Sequence, residues 1–406
     1  MESAYNSAYV FSRLASGERA PVGQLFIKGA VGSFRYWDSW LEHPYAYPLD
    51  PVNLPLTPGS VRSQSPKAVF GVFTDAGPDD WGTRILLLHH SGAPKNEIER
   101  LLRTSGRGVG MLEFSLSRSA PKTAPPLPDI SLLSELAQVV QQVQDRESLS
   151  PEQLALIEPG SSMGGARPKT SVGEGPYSWL VKFSRAGDIM DFPRLEYATM
   201  QLMRSAGFNV PEVRLKLLGQ GRTAFMIKRF DRDHGHPVHF ISAHSLFNID
   251  RLRRVRDSRY NPYSYVNLAR ILRKHASQPQ KDCRELFRRM AFNILVGNTD
   301  DHARNHAMIY NTANRSWSLS PAYDVLPTIN GNRGRQAMGV GREGADSTRA
   351  NTFSYASLFM LSSDQAQEDW DVMTRLVQRL PEAARDFGMA PADIEIVRAH
   401  LDQSTI

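Results

Sequence analysis

Two stretches of the chain repeat their apolar residues with the period of a helix. In Arg284 to Val296, the residues Leu286, Phe287, Met290, Ala291, Ile294 and Leu295 make a broad apolar stripe, and Gly297 suits the position just past a helix end. In Pro193 to Ala206, Leu195, Ala198, Leu202 and Ala206 share one face. Asp191 can cap that helix, Pro193 fits its first turn, and Gly207 and Pro211 end it. Weaker helical patterns cover 83–90, 132–143, 352–361, 363–380 and 391–401. Asp79 and Asp80, after Pro78 and ahead of Trp81, supply acceptors for the free N–H groups of the first of these. Short apolar runs predict strands at 23–27, 68–73, 179–183, 307–310 and 316–319, and one from Ala224 into the polar segment that ends at Asp231. Asn311-Thr312-Ala313-Asn314, a cluster of turn formers, makes 307–319 a candidate hairpin.

Pro121, Pro125, Pro126 and Pro128 give Ser117 to Pro128 the composition of a linker, because proline removes donors and stiffens the chain. The expected division is 1–120, a linker and helix over 121–150, a third part over 151–230 and a mainly helical part over 231–406. A chain of 406 residues, 41% apolar and 22% charged, is long enough to hold more than one core.

Composition narrows the chemistry. The single cysteine, Cys283, excludes a disulfide framework or a thiolate metal cluster and suits a reducing compartment. The first residues lack the apolar segment of a signal peptide, and nowhere do 18 apolar residues run together, so a cytoplasmic protein is expected, with no membrane partner. Forty-eight Lys plus Arg against 42 acidic residues give a net charge of +6 and a pI near 9.4, which favours anionic partners such as ATP, RNA or DNA. The densest basic run, Arg251, Arg253, Arg254, Arg256 and Arg259, reads either as a solvated face or as a phosphate-contacting patch, and no aromatic residue interleaves before Tyr260. Residues 330–335, Asn-Gly-Asn-Arg-Gly-Arg, read as a flexible basic loop.

The candidate chemistry centres on Gly297 to Asp324. Asp300, Asp301, His302 and Asn305 lie at one end and Asp324 at the other, so a hairpin between them would bring Asn305 and Asp324 to its open end. A hard ion such as Mg²⁺ needs oxygen ligands of this kind, one or two from protein and the rest from phosphate and water. Asp300 is the candidate to accept or orient the proton of an attacking hydroxyl, and Arg304 to neutralise a transferring phosphoryl group. His302 reads either as a structural ring or as a nucleotide contact. Upstream, Gly160 to Thr170 is a Gly/Ser loop ending in Arg167-Pro168-Lys169, which reads either as a phosphate cradle or as a surface turn. Pro168, where a Walker loop has glycine, offers no N–H to phosphate and disfavours a P-loop NTPase. Lys182, between apolar neighbours, points either to solvent or toward the α and β phosphates, and Glu196 is either exposed or the partner of such a lysine.

Together these residues resemble the HipA family of serine/threonine protein kinases, the toxin halves of bacterial HipBA-type modules. The resemblance rests on Leu54-Pro55-Leu56, Phe70-Gly71-Val72-Phe73, Pro78-Asp79-Asp80-Trp81-Gly82, Gly108-Val109-Gly110, the loop from Ser162 to Thr170, Lys182, Arg229-Phe230-Asp231, the catalytic stretch Gly297 to Asn305, and Pro321-Ala322-Tyr323-Asp324. It implies an α+β, two-lobed protein-kinase-like fold with an extra N-terminal α/β subdomain and a mainly helical C-terminal lobe. Asp300 would be the catalytic aspartate, and Asn305 with Asp324 would bind Mg²⁺. Gly164, Gly165, Ala166, Arg167, Pro168, Lys169, Lys182, Lys228, Arg229, Phe230, His302, Ala303, Arg304, Asn305, Tyr323 and Asp324 would form the ATP site. Ser162, or Ser161 beside it, would be the autophosphorylation site, where a dianion cannot share the pocket with ATP phosphates. The implied partners are a HipB-like helix-turn-helix antitoxin, DNA only through that antitoxin, and a protein substrate, which in some members is an aminoacyl-tRNA synthetase. The chain departs from the family in Lys228, where an acidic hinge residue is expected, and in Arg167-Pro168, a more basic and stiffer pair than Gln-Glu. An ATP-binding co-repressor without turnover and a metal-dependent nuclease are the alternatives from other classes.

Overall fold

The computed structural model describes residues 5–403 except 15, 64, 66, 158–166, 220, 234–235, 248–261 and 330. It divides into two compact units, Met1–Ala186 with Lys228–Arg251 and Met308–Ser316, and Gly187–Ile227 with Leu252–Ala307 and Trp317–Ile406. The class is α+β. No helix of the described residues is long and apolar enough to cross a membrane.

In the first unit, β1 (Ser7–Arg13), β2 (Arg19–Lys28), β3 (Val31–Tyr36), β4 (Ser60–Arg62) and β5 (Leu112–Ser115) form an antiparallel sheet in the order β4-β3-β2-β1-β5. Val10, Val22, Leu25 and Phe34 are fully buried and form part of its core. The apolar run 68–73 is not the expected strand, because a short helix, Gly71–Asp75, begins after Phe70. Val69, Phe70, Val72 and Phe73 are all buried, so the run has no polar face from which a period could be read. Gly71 is packed so closely on Ser245 that an added Cβ would lie 2.5 Å from that residue's Cβ. Tyr47 gathers distant segments, with its ring centroid 4.9 Å from His239, 4.6 Å from Tyr310 and 5.5 Å from Trp40.

The same unit contains a second hairpin, β6 (Lys169–Glu174) and β7 (Tyr177–Phe183), in a register that sets Lys169 opposite Lys182. Gly175 turns it with φ +57°. The proline-rich stretch runs without regular structure to Asp129 and ends against β6, where the Gly173 N–H donates to Pro128 O at 2.8 Å. The helix expected at 132–143 spans Leu133–Asp145.

In the second unit, Asp191 caps the helix Phe192–Ser205 by accepting from the Arg194 N–H. That helix is followed by the hairpin of β8 (Val213–Leu217) and β9 (Thr223–Lys228). The long helix Pro279–Val296 is the centre of the unit. Leu286, Phe287, Met290, Ala291 and Ile294 are fully buried, each large side chain contributing roughly 1.5–3 kcal/mol. The segment 352–361 is broken into Arg349–Phe353 and a 3-10 turn, Ala356–Phe359, which Met360 ends in the left-handed region at φ +62°. The expected basic loop is also tied down. Arg333 is buried and donates to Leu295 O at 2.6 Å and to His400 O, supplying positive charge where the long helix leaves carbonyls unpaired.

Candidate active site

Gly297 ends the long helix in the left-handed conformation at φ +72°, and its N–H donates to Ile294 O. An added Cβ there would fall 2.5 Å from His400 Nε2 and 2.7 Å from Arg333 Nε, so glycine is required by both backbone and space. The chain then turns into 298–306, held by one buried carboxylate. Asp301, 1% exposed, accepts on Oδ2 from Asn293 Nδ2 at 2.8 Å and from the Tyr265 hydroxyl, and the same oxygen meets His306 Nε2 at 2.8 Å. Asn298 extends the network by donating to Asn293 Oδ1 at 3.0 Å. Burial is the largest influence on Tyr265 and, with the Asp301 charge, keeps its hydroxyl protonated as a donor.

This anchoring sets out the neighbouring residues. Asp300 is exposed, and its N–H approaches Thr328 Oγ1 at 3.4 Å. Desolvation is the main cause that raises its pKa; His302 pulls it down, and the Asp324 and Asp301 charges push it up. Asp300 and Asp324 therefore lie within each other's field. Asp324 adopts φ +59°, an uncommon conformation for a residue with a side chain and one that clusters at functional sites. Between 300 and 324 the chain forms strands Ala307–Asn311 and Ser316–Leu319, and the Ser320 N–H donates to Ala307 O at 2.9 Å at the base.

The donor set fits a hard divalent ion on one observation. Asn305 is buried, 4% exposed, and its Oδ1 has no hydrogen-bond partner among the described residues. A buried amide oxygen left unpaired is costly unless something occupies it, and oxygen is the ligand Mg²⁺ takes. Asn305 and Asp324 are the residues that would hold such an ion. Among the described residues His302 Nδ1 is also buried without a hydrogen-bond partner, so the loop backbone does not fix the ring through that nitrogen. Ala303 is buried and Arg304 exposed, while Tyr323, also buried, donates its hydroxyl to Arg304 O at 2.7 Å.

In the first unit, Lys182 is 6% exposed, which removes the reading of a solvated strand lysine, and in the second unit Glu196 is 3% exposed. Lys169 is likewise buried, and its Nζ donates to Asp79 Oδ2 at 2.6 Å. Asp79 uses its other oxygen to cap the helix Asp80–His89 through the Gly82 N–H, and Trp81 Nε1 donates to Lys169 O at 2.7 Å. Residues 78–82, which the sequence offers as a helix start and as one motif of the resemblance, therefore hold the first residue of β6. Ser161, Ser162, Gly164, Gly165, Ala166 and the Arg251 to Arg259 run lie outside the described residues; Arg167 and Pro168 lie within them.

The Arg229-Phe230-Asp231 segment joins a second motif of the N-terminal stretch. Asp231, fully buried, pairs with Arg229 at 2.7 Å and accepts from the Gly110 N–H at 2.9 Å, while Arg229 donates to Gly108 O at 3.0 Å. Burial pushes the Asp231 carboxyl up, but Arg229 and Arg232 outweigh it and hold the group well below the usual carboxylate range. The Arg229 guanidinium is thus committed to structure, and the Arg229 N–H donates to Ser178 O. Lys228 lies over the Tyr177 ring, 3.4 Å from its centroid, a cation–π contact that accommodates its charge.

A putative kinase of Sinorhizobium fredii, Y4dM, is 34% identical over 166 residues, 37% of this chain and 38% of the relative. A putative kinase of Haemophilus influenzae is 35% identical over 137 residues, 32% of this chain and 40% of the relative. The chain thus spans about two fifths of the length of these relatives. A chain of the Shewanella oneidensis complex of HipA, HipB and operator DNA has the same fold, with a TM-score of 0.69 and 18% identity over 97% of this chain and 95% of that one. The HipA N-terminal domain matches residues 16–115 and the HipA-like C-terminal domain residues 161–386, more than half of the sequence, and the chain accordingly belongs to the HipA family.

Proposed function

We propose that this protein is a Mg-ATP-dependent serine/threonine protein kinase of toxin type, restrained by a small DNA-binding antitoxin. The observation that carries the reading is the loop fixed by Asp301, which holds Asp300 within the field of Asp324 and leaves Asn305 Oδ1 buried and without a hydrogen-bond partner among the described residues. Asp300 would accept or orient the proton of the attacking hydroxyl, which its raised pKa favours. Asn305 and Asp324 would hold Mg²⁺, which when bound neutralises phosphate charge. Arg304, exposed at the loop, would stabilise charge on the transferring phosphoryl group. Lys182 and the loop from Gly164 to Lys169 would bind the nucleotide phosphates, with 228–230 as the hinge and Ala303 and Tyr323 beside the nucleotide. Phosphorylation of Ser162, or of Ser161, would place a dianion where those phosphates bind and shut the enzyme off.

The relatives named putative kinases support phosphoryl transfer, and the solved complex of HipA with HipB and operator DNA supports a HipB-like partner. Incubation of the purified protein with Mg²⁺ and γ-labelled ATP tests the reading. Label is expected on Ser162 or Ser161 in the wild type and absent in Asp300→Asn and Asp324→Ala. ATP binding with no label on this chain or on any added protein would reduce the molecule to a nucleotide-binding module.

A further inference from the structure

The first unit contains a cavity of about 170 Å³ that shares only Arg229 with the nucleotide contacts proposed above. Arg13, Arg19, Arg107, Arg229 and Arg232 line it, and Glu113 is the acidic residue among its lining. Glu113 is buried, 3% exposed. Its Oε1 accepts from Arg13 Nη2 at 2.7 Å and its Oε2 from Arg19 Nε at 2.9 Å. Behind the wall, Asp231 pairs with Arg229 and Arg232, each at 2.7 Å. Among the described residues, four of the five guanidinium groups thus share two carboxylates. Among the described residues Arg19 gives Glu113 only its Nε, leaving its two terminal nitrogens for another acceptor.

Like charges gathered around a partly enclosed space repel one another, and an arginine cannot escape by losing its proton. Arg232 is pulled down to about 10, by burial first and then by the Arg229, Arg13 and Arg107 charges, against the opposing effect of Asp231. A compact oxyanion relieves such repulsion, and the planar fork of arginine matches phosphate geometry. At roughly 30 Å³ per water the cavity holds about six waters, room for the heavy atoms of one phosphate group. We propose that this arginine-lined cavity is a binding site for a phosphate group, separate from the nucleotide site.

The test is titration of the full-length protein with inorganic phosphate at constant ionic strength, with chloride as control, read by calorimetry. Arg19→Gln, at a residue whose side chain is 31% exposed, is expected to weaken binding about tenfold. Glu113→Gln keeps the side-chain shape while removing a competing carboxylate, and is expected to tighten it. Lys182→Ala, in the proposed nucleotide site, is expected to leave it unchanged. Saturation with phenyl phosphate then distinguishes a site open to phosphomonoesters from one restricted to the free ion, and binding of either supports the proposal. Phosphate binding no stronger than that of chloride, or binding abolished by Lys182→Ala and indifferent to both Arg19→Gln and Glu113→Gln, would overturn it.

Discussion

Asp300 and Asp301 are adjacent carboxylates with opposite duties. Asp301 is buried and bonded to three side chains, whereas Asp300 is exposed and carries a raised pKa caused first by desolvation. A carboxyl whose folded pKa lies above its unfolded value binds its proton more tightly when folded. Its contribution to stability is therefore present at low pH and is lost as pH rises through the folded pKa. Asp300→Asn removes the charge, so the variant should melt at a higher temperature than wild type at pH 7, with the difference shrinking toward pH 4, while losing about 10²–10⁴-fold in phosphoryl transfer. Thermal melts across pH check the first part, and a lower melting temperature at pH 7 would contradict the electrostatic account. Asp301→Ala should act on folding, costing about 3 kcal/mol or more by denaturant titration, because three buried groups lose their acceptor together.

The clamp between Asp79 and Lys169 belongs to the scale of elements, since it ties the start of one helix to the first residue of β6. Asp79→Ala should cost about 3–5 kcal/mol by leaving the buried Lys169 charge uncompensated, with roughly 1 kcal/mol from the lost cap. Asp79→Ala combined with Lys169→Met should recover much of the loss. Chemical denaturation of the single and double variants measures both, and a double variant no more stable than the single one would refute the clamp. Sequence could not show this pair, because its members stand 90 residues apart and neither changes the local pattern around it. The long helix and its glycine end were legible, since a stripe and a C-terminal glycine are local signals. Asp300, Asn305 and Asp324 were legible as types and spacing. The anchoring of Asp301 by Tyr265, 36 residues upstream, was not, and His306 passed unremarked beside the more conspicuous His302. The run 68–73 failed for a different reason, because complete burial erases the alternation that separates strand from helix.

For the whole molecule, the N-terminal stretch is more than an appendage to the kinase-like sequence. Gly108 and Gly110 meet Arg229 and Asp231, and Asp79 and Trp81 meet Lys169, so both segments proposed to embrace the nucleotide are braced by motifs from residues 78–110. The central claim remains that Asp300 serves phosphoryl transfer to protein. It is tested most directly by quantitative phosphoproteomics of cells after induction of the wild-type protein beside Asp300→Gln. New phosphoserine or phosphothreonine sites, Ser162 of this chain among them, are expected with the wild type alone. Identical phosphoproteomes from the two would contradict the claim.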